Sequence, residues 1–356
     1  MTGRSDRVAA ARIFREEAER EGFSRVGIAR AQEPPGFARF SDWIASGRNA
    51  GMRYLERTAG VRSSPENLLA GARSVVCLAA AHRTAPLTAA DGSRIARYAA
   101  GPDYHGTLRD RATRAARAAA ERIGDGIRWR VCVDSTPIAE RSFAAAAGLG
   151  WIGKNSCLID RELGSWLLLA EIVTDVDLPP DEPVAEMCGS CSRCLESCPT
   201  DAFVAEGILD ANRCLAYWTI EHRGAIPDDV KPAIAENVFG CDICQEVCPW
   251  NEPRRLRLGQ PPHPHEWERG GNAGLPTRAQ WLSMGPGEWR RRFGATALNR
   301  AGRRGVQRNA AISAGAAGDR SALPSLARPT RMRDRGLADA AGWAVARLDH
   351  PLERTP

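Results

Sequence analysis

The 356-residue chain is predicted to be a mixed α/β (α+β) domain over residues 1–178, a loop-rich, cysteine-ligated domain over 179–255 and a helical region over 256–356. Three observations predict this order. Short β-rich runs alternate with helical patterns before residue 178. Eight of the eleven cysteines lie between 188 and 248. Helical periodicity returns beyond a Pro-, Arg- and His-rich stretch that follows Trp250.

In the first region a charged amphipathic helix is expected near 5–21, followed by the strand FSRVGIA. SVVCLAAA, near residue 74, is a second strand, and an Arg/Ala-rich helix covers about 107–123. IRWRVCVDS ends at Ser135, and SWLLLAEIVTDVDL begins at 165 as a further strand. The proline-rich stretch DLPPDEPVAE then closes the domain. Near the carboxyl end, GRRGVQRNAAISAGAAG and RGLADAAGWAVARL carry apolar residues at helical spacing, split by DRSALPSL. This arrangement is HEAT-like, and a single repeat pair cannot bury its own face, so it must pack on the rest of the protein.

The cysteines form two blocks, Cys188-x2-Cys191-x2-Cys194-x3-Cys198-Pro199 and Cys241-x2-Cys244-x3-Cys248-Pro249, with Cys214 between them. The first is the bacterial-ferredoxin run, in which three close thiolates grip one cubane and the fourth ligates the other. The second lacks one cysteine, which Cys214 replaces. Two [4Fe–4S] clusters are expected: Cys188, Cys191 and Cys194 with Cys248, and Cys214, Cys241 and Cys244 with Cys198. A disulfide framework would suit a small secreted domain instead. Paired zinc knuckles would use CxxC pairs, but not this spacing with its terminal proline. Cys77 and Cys132 read as buried small hydrophobes, and nothing in its spacing assigns Cys157 to a cluster.

With 43% hydrophobic residues, the chain can bury a sizeable core. The net charge of +6 is modest. From Arg290 to Gly318, however, there are seven arginines and no acidic residue, which suits either a solvated face or a phosphate-bearing partner. The amino-terminal helix lacks an apolar signal core, and no run approaches membrane-spanning length. A soluble, cytoplasmic monomer is expected.

A site is expected in Asp134 to Ile159, DSTPIAERSFAAAAGLGWIGKNSCLI, where a strand ends in an acidic residue. Ligand sites in open α/β sheets sit beyond the carboxyl ends of strands. Asp before a Pro-bearing turn is also a helix N-cap signal, so cap and catalyst both stand for Asp134. GLGWIGKN lacks the GxGxxG spacing and the GK[ST] ending, which speaks against a nicotinamide or P-loop site.

MRYLER (52–57), YAAGPDYH (98–105), VDSTPIAERSFAAAAGLGWIGKN (133–155), CGSCSRCLESCPTDA (188–202), RCLAYWTIEHRG (213–224), GCDICQEVCPWN (240–251) and ALNRAGRRGVQRNAAISAGAAGD (297–319) occur in that order. With them the sequence resembles the epoxyqueuosine reductases, which complete queuosine synthesis in bacterial tRNA. The resemblance implies a cobalamin-binding α/β domain, with electrons from an external low-potential donor passing through both clusters to cobalt. It makes Asp134 the proton donor to the opened epoxide, with a pKa raised by burial. DYHG lacks the third glycine of the DxHxxG pattern, so cobalt ligation by His105 is not expected. Cobalamin contacts are expected from Arg57, Arg97, Asn155, Cys157, Trp218 and Thr219, as well as Asp134. The tRNA anticodon loop would be held by Arg291, Arg292, Arg300, Arg303, Arg304 and Arg308. A reductive dehalogenase, a ferredoxin-like carrier and an RNA-binding protein with structural metal are the rival classes; bound corrin and bound tRNA separate them.

Overall fold

The computed structural model describes residues 4–82, 85–99, 101–124, 126–252, 274–327 and 334–349. Its main sheet has four strands, β1 (Arg25–Arg30), β2 (Ser74–Ala81), β3 (Trp129–Cys132) and β4 (Leu167–Thr174). They lie in the order β1-β2-β4-β3, every pair antiparallel. The content is mixed α and β. The rule that sites sit beyond the carboxyl ends of an open parallel sheet therefore does not explain the position of Asp134, because neighbouring strands here run in opposite directions.

β2 is buried along its whole length. Both faces are covered, so its sequence is a continuous apolar run without polar alternation. Val76, Leu78 and Ala80 join the core under α1 (Arg4–Arg20) and α2 (Tyr104–Ile123). Val75, Cys77 and Ala79 face the opposite core, with Phe143 and Ala144 of α3 (Glu140–Ala146). Cys77 and Cys132 are fully buried in that layer, as small hydrophobes.

The glycine-rich loop after α3 is a turn of structure. Trp151–Ile152 pairs antiparallel with Leu158–Ile159, and a Cβ on Gly150 would stand 2.2 Å from the Ile159 carbonyl oxygen. Only glycine allows that approach.

The later segments fold back onto the first. Arg94–Ile95 pairs antiparallel with Leu87–Thr88 and parallel with Asn237–Phe239. One apolar core joins Leu87 and Ile95 to Leu215, Val238 and Phe239, and then to the carboxyl-terminal helices. Central among these is α4 (Gly302–Ala317), buried from Val306 to Gly315 against α5 (Arg335–Asp349), Arg278–Ser283 and Lys231–Ile234. The Pro-, Arg- and His-rich stretch at 253–273 lies outside the described residues.

Candidate active site and cluster centres

Asp134 follows β3 with φ +38°, a left-handed conformation costly for a residue with a Cβ. α3 begins only at Glu140, with Ala139 before it, so Asp134 caps no helix. Its backbone N–H donates to Glu140 Oε1. Its Oδ2 lies 2.7 Å from His105 Nε2, and His105 Nδ1 lies 2.5 Å from Asp103 Oδ1. Asp103 also caps α2, accepting from the His105 N–H at 3.0 Å. With an acceptor carboxylate on each ring nitrogen, His105 is bonded as an imidazolium. Desolvation alone would lower its pKa, but the hydrogen bonds and charges of Asp134 and Asp103 outweigh that and raise it.

The expected upward shift of Asp134 is not found. Desolvation pushes its carboxyl up, but the hydrogen bond and charge of His105, with Arg300 and Tyr104, more than offset it. Asp134 is held below the ordinary aspartate value while His105 is held above the ordinary histidine value. Glu140 behaves oppositely: burial and the neighbouring Asp134 charge push its carboxyl up to about 7.

Arg300 stands at this site and not along an outer helix face. Its Nε and Nη2 grip Glu221 at 2.8 and 2.6 Å, and its guanidinium lies 5.6 Å from the Tyr54 ring centroid. Burial and then the Glu221 charge raise the Tyr54 phenol, which also senses Asp134.

The cysteines gather in two groups. Cys188, Cys191, Cys194 and Cys248 line one cavity together with Lys154, Asn155 and Trp250. Desolvation raises the Cys194 thiol to about 11, with Cys248, Cys188 and Cys191 as its charged neighbours. Burial raises Cys241 to about 12, and its cysteine neighbours are Cys214 and Cys198. Cys244 is raised first by its hydrogen bond with Cys157 and by burial, and it also senses Cys241 and Cys214. Among the described residues no three His, Cys, Asp or Glu side chains could hold a single metal ion. Four thiols around a shared hollow are the donor set of a cubane.

Several expected contacts are spent elsewhere. Thr219 is fully buried; its hydroxyl donates to the Leu215 carbonyl at 2.7 Å and accepts from Gly240 N–H at 3.0 Å, so it serves internal partners. Arg97 is buried, bonded to Glu246 at 2.7 Å and stacked 4.2 Å over Trp166, so it ties the sheet domain to the cysteine segment. Asn155 is buried, receiving the Cys157 N–H and donating to the Cys244 carbonyl at 3.3 Å. Cys157 sits against Cys244. Arg308 is buried and donates to the carbonyls of Trp218, His222 and Gly224; it cannot reach a phosphate.

The remaining arginines vary. Arg57 and Arg291 are exposed. Arg292 pairs with Glu288 at 2.9 Å, and Arg303 bonds Gln307 at 2.9 Å. Arg304 is half-buried, and Trp218 is half-buried with its indole N–H on the Asn212 carbonyl. The counter-charges missing from 290–318 are supplied by Glu288 and Glu221, outside that span. Sequence reasoning missed Tyr54, Glu140 and Glu221 and gave His105 no proton role. The one available signal was Asp103 beside His105 at a helix start.

Residues 187–251 match a family model described as a 4Fe-4S double cluster binding domain, and residues 62–135 match one for epoxyqueuosine reductase QueG. The chain is 38% identical to an epoxyqueuosine reductase of Xanthomonas campestris over 97% of this chain and 98% of that one. It is 40% identical to one from Gloeobacter violaceus over 84% and 93% of the two chains. An epoxyqueuosine reductase solved with an epoxyqueuosine-modified tRNA-Tyr stem loop superposes at a TM-score of 0.85, with 30% identity over 95% of this chain and 90% of that one. The Bacillus subtilis enzyme, solved with its catalytic aspartate loop swung out of the active site, superposes at 0.82 with 28% identity over 94% and 89%. This chain belongs to the epoxyqueuosine reductase family.

Proposed function

We propose that the chain reduces epoxyqueuosine to queuosine in the tRNA anticodon loop, drawing electrons from an external low-potential donor through two [4Fe–4S] clusters to cobalamin, with Asp134 as proton donor. The observation that carries this is the Asp103–His105–Asp134 chain, which holds a proton at the Asp134 carboxylate beside a double-cluster segment. Cobalamin, when bound, supplies the strongly reducing centre that opens the epoxide. Arg57 and Trp218 would hold it, and the buried Ser156 hydroxyl, which has no protein partner, fits its amide and phosphate groups. Opening the C–O bond leaves an oxygen anion. The His105 proton reaches it through Asp134, so no free carboxylic acid is needed at rest.

A relative holding a modified tRNA stem loop supports the RNA partner. Arg291, Arg292, Arg303 and Arg304 would position the phosphates, with Arg300 at the rim of the catalytic site. The α4–α5 pair would serve as a HEAT-like platform. Among the described residues no helix is long and apolar enough to cross a membrane. We place the enzyme, as a monomer, in the cytoplasm, where its tRNA is.

The test is anaerobic turnover of cluster- and cobalamin-loaded protein on tRNA bearing epoxyqueuosine, with the nucleosides read by mass spectrometry. Asp134→Ala should keep tRNA affinity and lose about 10²- to 10⁴-fold in rate. Undiminished conversion by that variant would remove Asp134 from the reaction.

A further inference from the structure

The electrons come from outside, so part of the surface must receive what brings them. Cys188, Cys191, Cys194 and Cys248 line a hollow whose wall includes Lys154. Lys154 gathers the segments around it. Its Nζ pairs with Glu206 at 2.7 Å, and its carbonyl accepts the Gly207 N–H at 2.9 Å. These bonds hold the hairpin of Phe203–Ala205 and Ile208–Leu209 beside the hollow. Glu186, whose Oε1 accepts the Cys188 N–H at 3.1 Å, brings the stretch before Cys188 to the same rim.

Apolar side chains stand out around that rim. Ile152, two residues before Lys154, is 36% exposed, and Val204, two residues before Glu206, is 42% exposed. Val184 and Met187, on either side of Glu186, are 40% and 36% exposed. Among the described residues Val8 is the one other large apolar side chain so exposed. Single exposed apolar residues need no explanation, but four around one hollow mark an interaction surface. Charge surrounds them. Between Glu182 and Glu206 five acids are exposed, Glu182, Glu186, Glu196, Asp201 and Glu206. The one base in that stretch, Arg193, is paired with Glu252 at 3.4 Å. A cubane held by four thiolates is itself net negative. The face is thus acidic on a chain of net charge +6. The second group of cysteines leads inward: Cys241 packs on the large apolar core, and the segment after Cys214 carries Glu221, the partner of Arg300.

We propose that this face docks the electron donor, and that the donor is a flavoprotein presenting a basic rim around an exposed flavin edge. This rests on the proposed pair of clusters. The apolar patch excludes water at the centre of the contact, and the acidic rim steers and orients the basic one. A carrier with an acidic face meets like charge here and is disfavoured. In each transfer the reduced flavin loses one electron and the cluster held by Cys188, Cys191, Cys194 and Cys248 gains it. Two transfers oxidise the flavin fully, release its N–H proton to solvent and supply the two electrons that reducing one epoxide takes.

Electron transfer across a docking face runs either way, so the test uses the downhill direction and needs no tRNA. Full-length, cluster-loaded protein is reduced with dithionite, freed of excess, and mixed in a stopped-flow with an oxidised flavoprotein. The probes are ferredoxin–NADP reductase, whose flavin edge has a basic rim, and flavodoxin, whose flavin edge has an acidic one. The reductase should be reduced faster at low ionic strength, and its rate should fall about 10-fold as salt is raised. Flavodoxin should show the opposite salt trend. Glu182→Lys and Val204→Lys should each slow the reductase reaction about 10-fold at unchanged iron content. Dithionite, which needs no docking face, should reduce the clusters of both variants no slower than those of the wild type. A salt-independent reductase rate, or flavodoxin as the faster partner at low salt, overturns the proposal on the wild type alone, whether or not the variants fold. So does sedimentation showing a dimer that Val204→Lys dissolves, which gives the face to a second copy. A chain that takes up no iron on reconstitution would instead sink the pair of clusters on which the surface rests.

Discussion

His105 and Glu171 carry displaced pKa values whose consequences for pH have the same sign but arise differently. His105 is raised by its two carboxylates, so the stability of that cluster is fully present below the ordinary histidine value and is lost as pH rises through the raised one. Catalysis should follow, because the proton that Asp134 relays is then gone. The single-turnover rate should fall along one alkaline limb, and His105→Asn should remove that limb and cost about 10²- to 10⁴-fold. A pH–rate profile of both proteins decides it. Glu171 keeps its proton when folded and gives it up when unfolded, so its contribution to stability falls as pH rises from the ordinary carboxyl value up to its raised folded value. Glu171→Gln should flatten this decline, leaving the variant with a higher Tm than wild type at pH 7 in a thermal scan over pH 4–8.

At the scale of elements, α4 shows how local charge can mislead. Its sequence, GRRGVQRNAAISAGAA, reads as a basic amphipathic helix. In the structure Gln307, Arg308 and Asn309 are all buried, and each makes hydrogen bonds to backbone carbonyls or side chains of neighbouring segments. Asn309 donates to the Thr219 and Val238 carbonyls, and Arg308 to three carbonyls just after the Trp218 turn. The helix is thus a polar brace for the segment following Cys214. Arg308→Ala should cost about 3 kcal/mol by leaving those carbonyls unpaired, measured by chemical denaturation. Arg291→Ala, on the exposed helix Pro286–Phe293, should leave stability within about 0.5 kcal/mol. It should reduce the slope of log affinity for tRNA against log salt by about 1, measured by titration at several salt concentrations.

Across the whole molecule, each of the two groups of cysteines draws one thiol from the other's stretch of sequence. Cys248 closes the quartet of Cys188, Cys191 and Cys194, and Cys198 stands with Cys214 and Cys241. Cys248→Ser and Cys198→Ser should therefore each lower bound iron from about eight to about four per chain, read by metal analysis after reconstitution. The cluster affected should be opposite to the block that carries the mutation. The same interleaving joins Arg94–Ile95 to Asn237–Phe239 and puts Arg300, near the carboxyl end, against Tyr54 near the amino end.

The sequence by itself determined what rests on local spacing: the two cysteine blocks, the strands β2 and β4, α1 and α2, and the burial of Cys77 and Cys132. Ligand spacing and hydrophobic period are properties of neighbours along the chain, so they survive without coordinates. Asp134 was legible as a site residue through resemblance, but its charge state was not. Only the tertiary structure brought His105, Arg300 and Tyr104 to it and so reversed the expected shift. Only the structure showed Arg97, Asn155, Thr219 and Arg308 spent on internal partners, and Glu171 left with none. Burial, pairing and pKa depend on which distant residues are folded against a side chain, and no pattern within one segment specifies them.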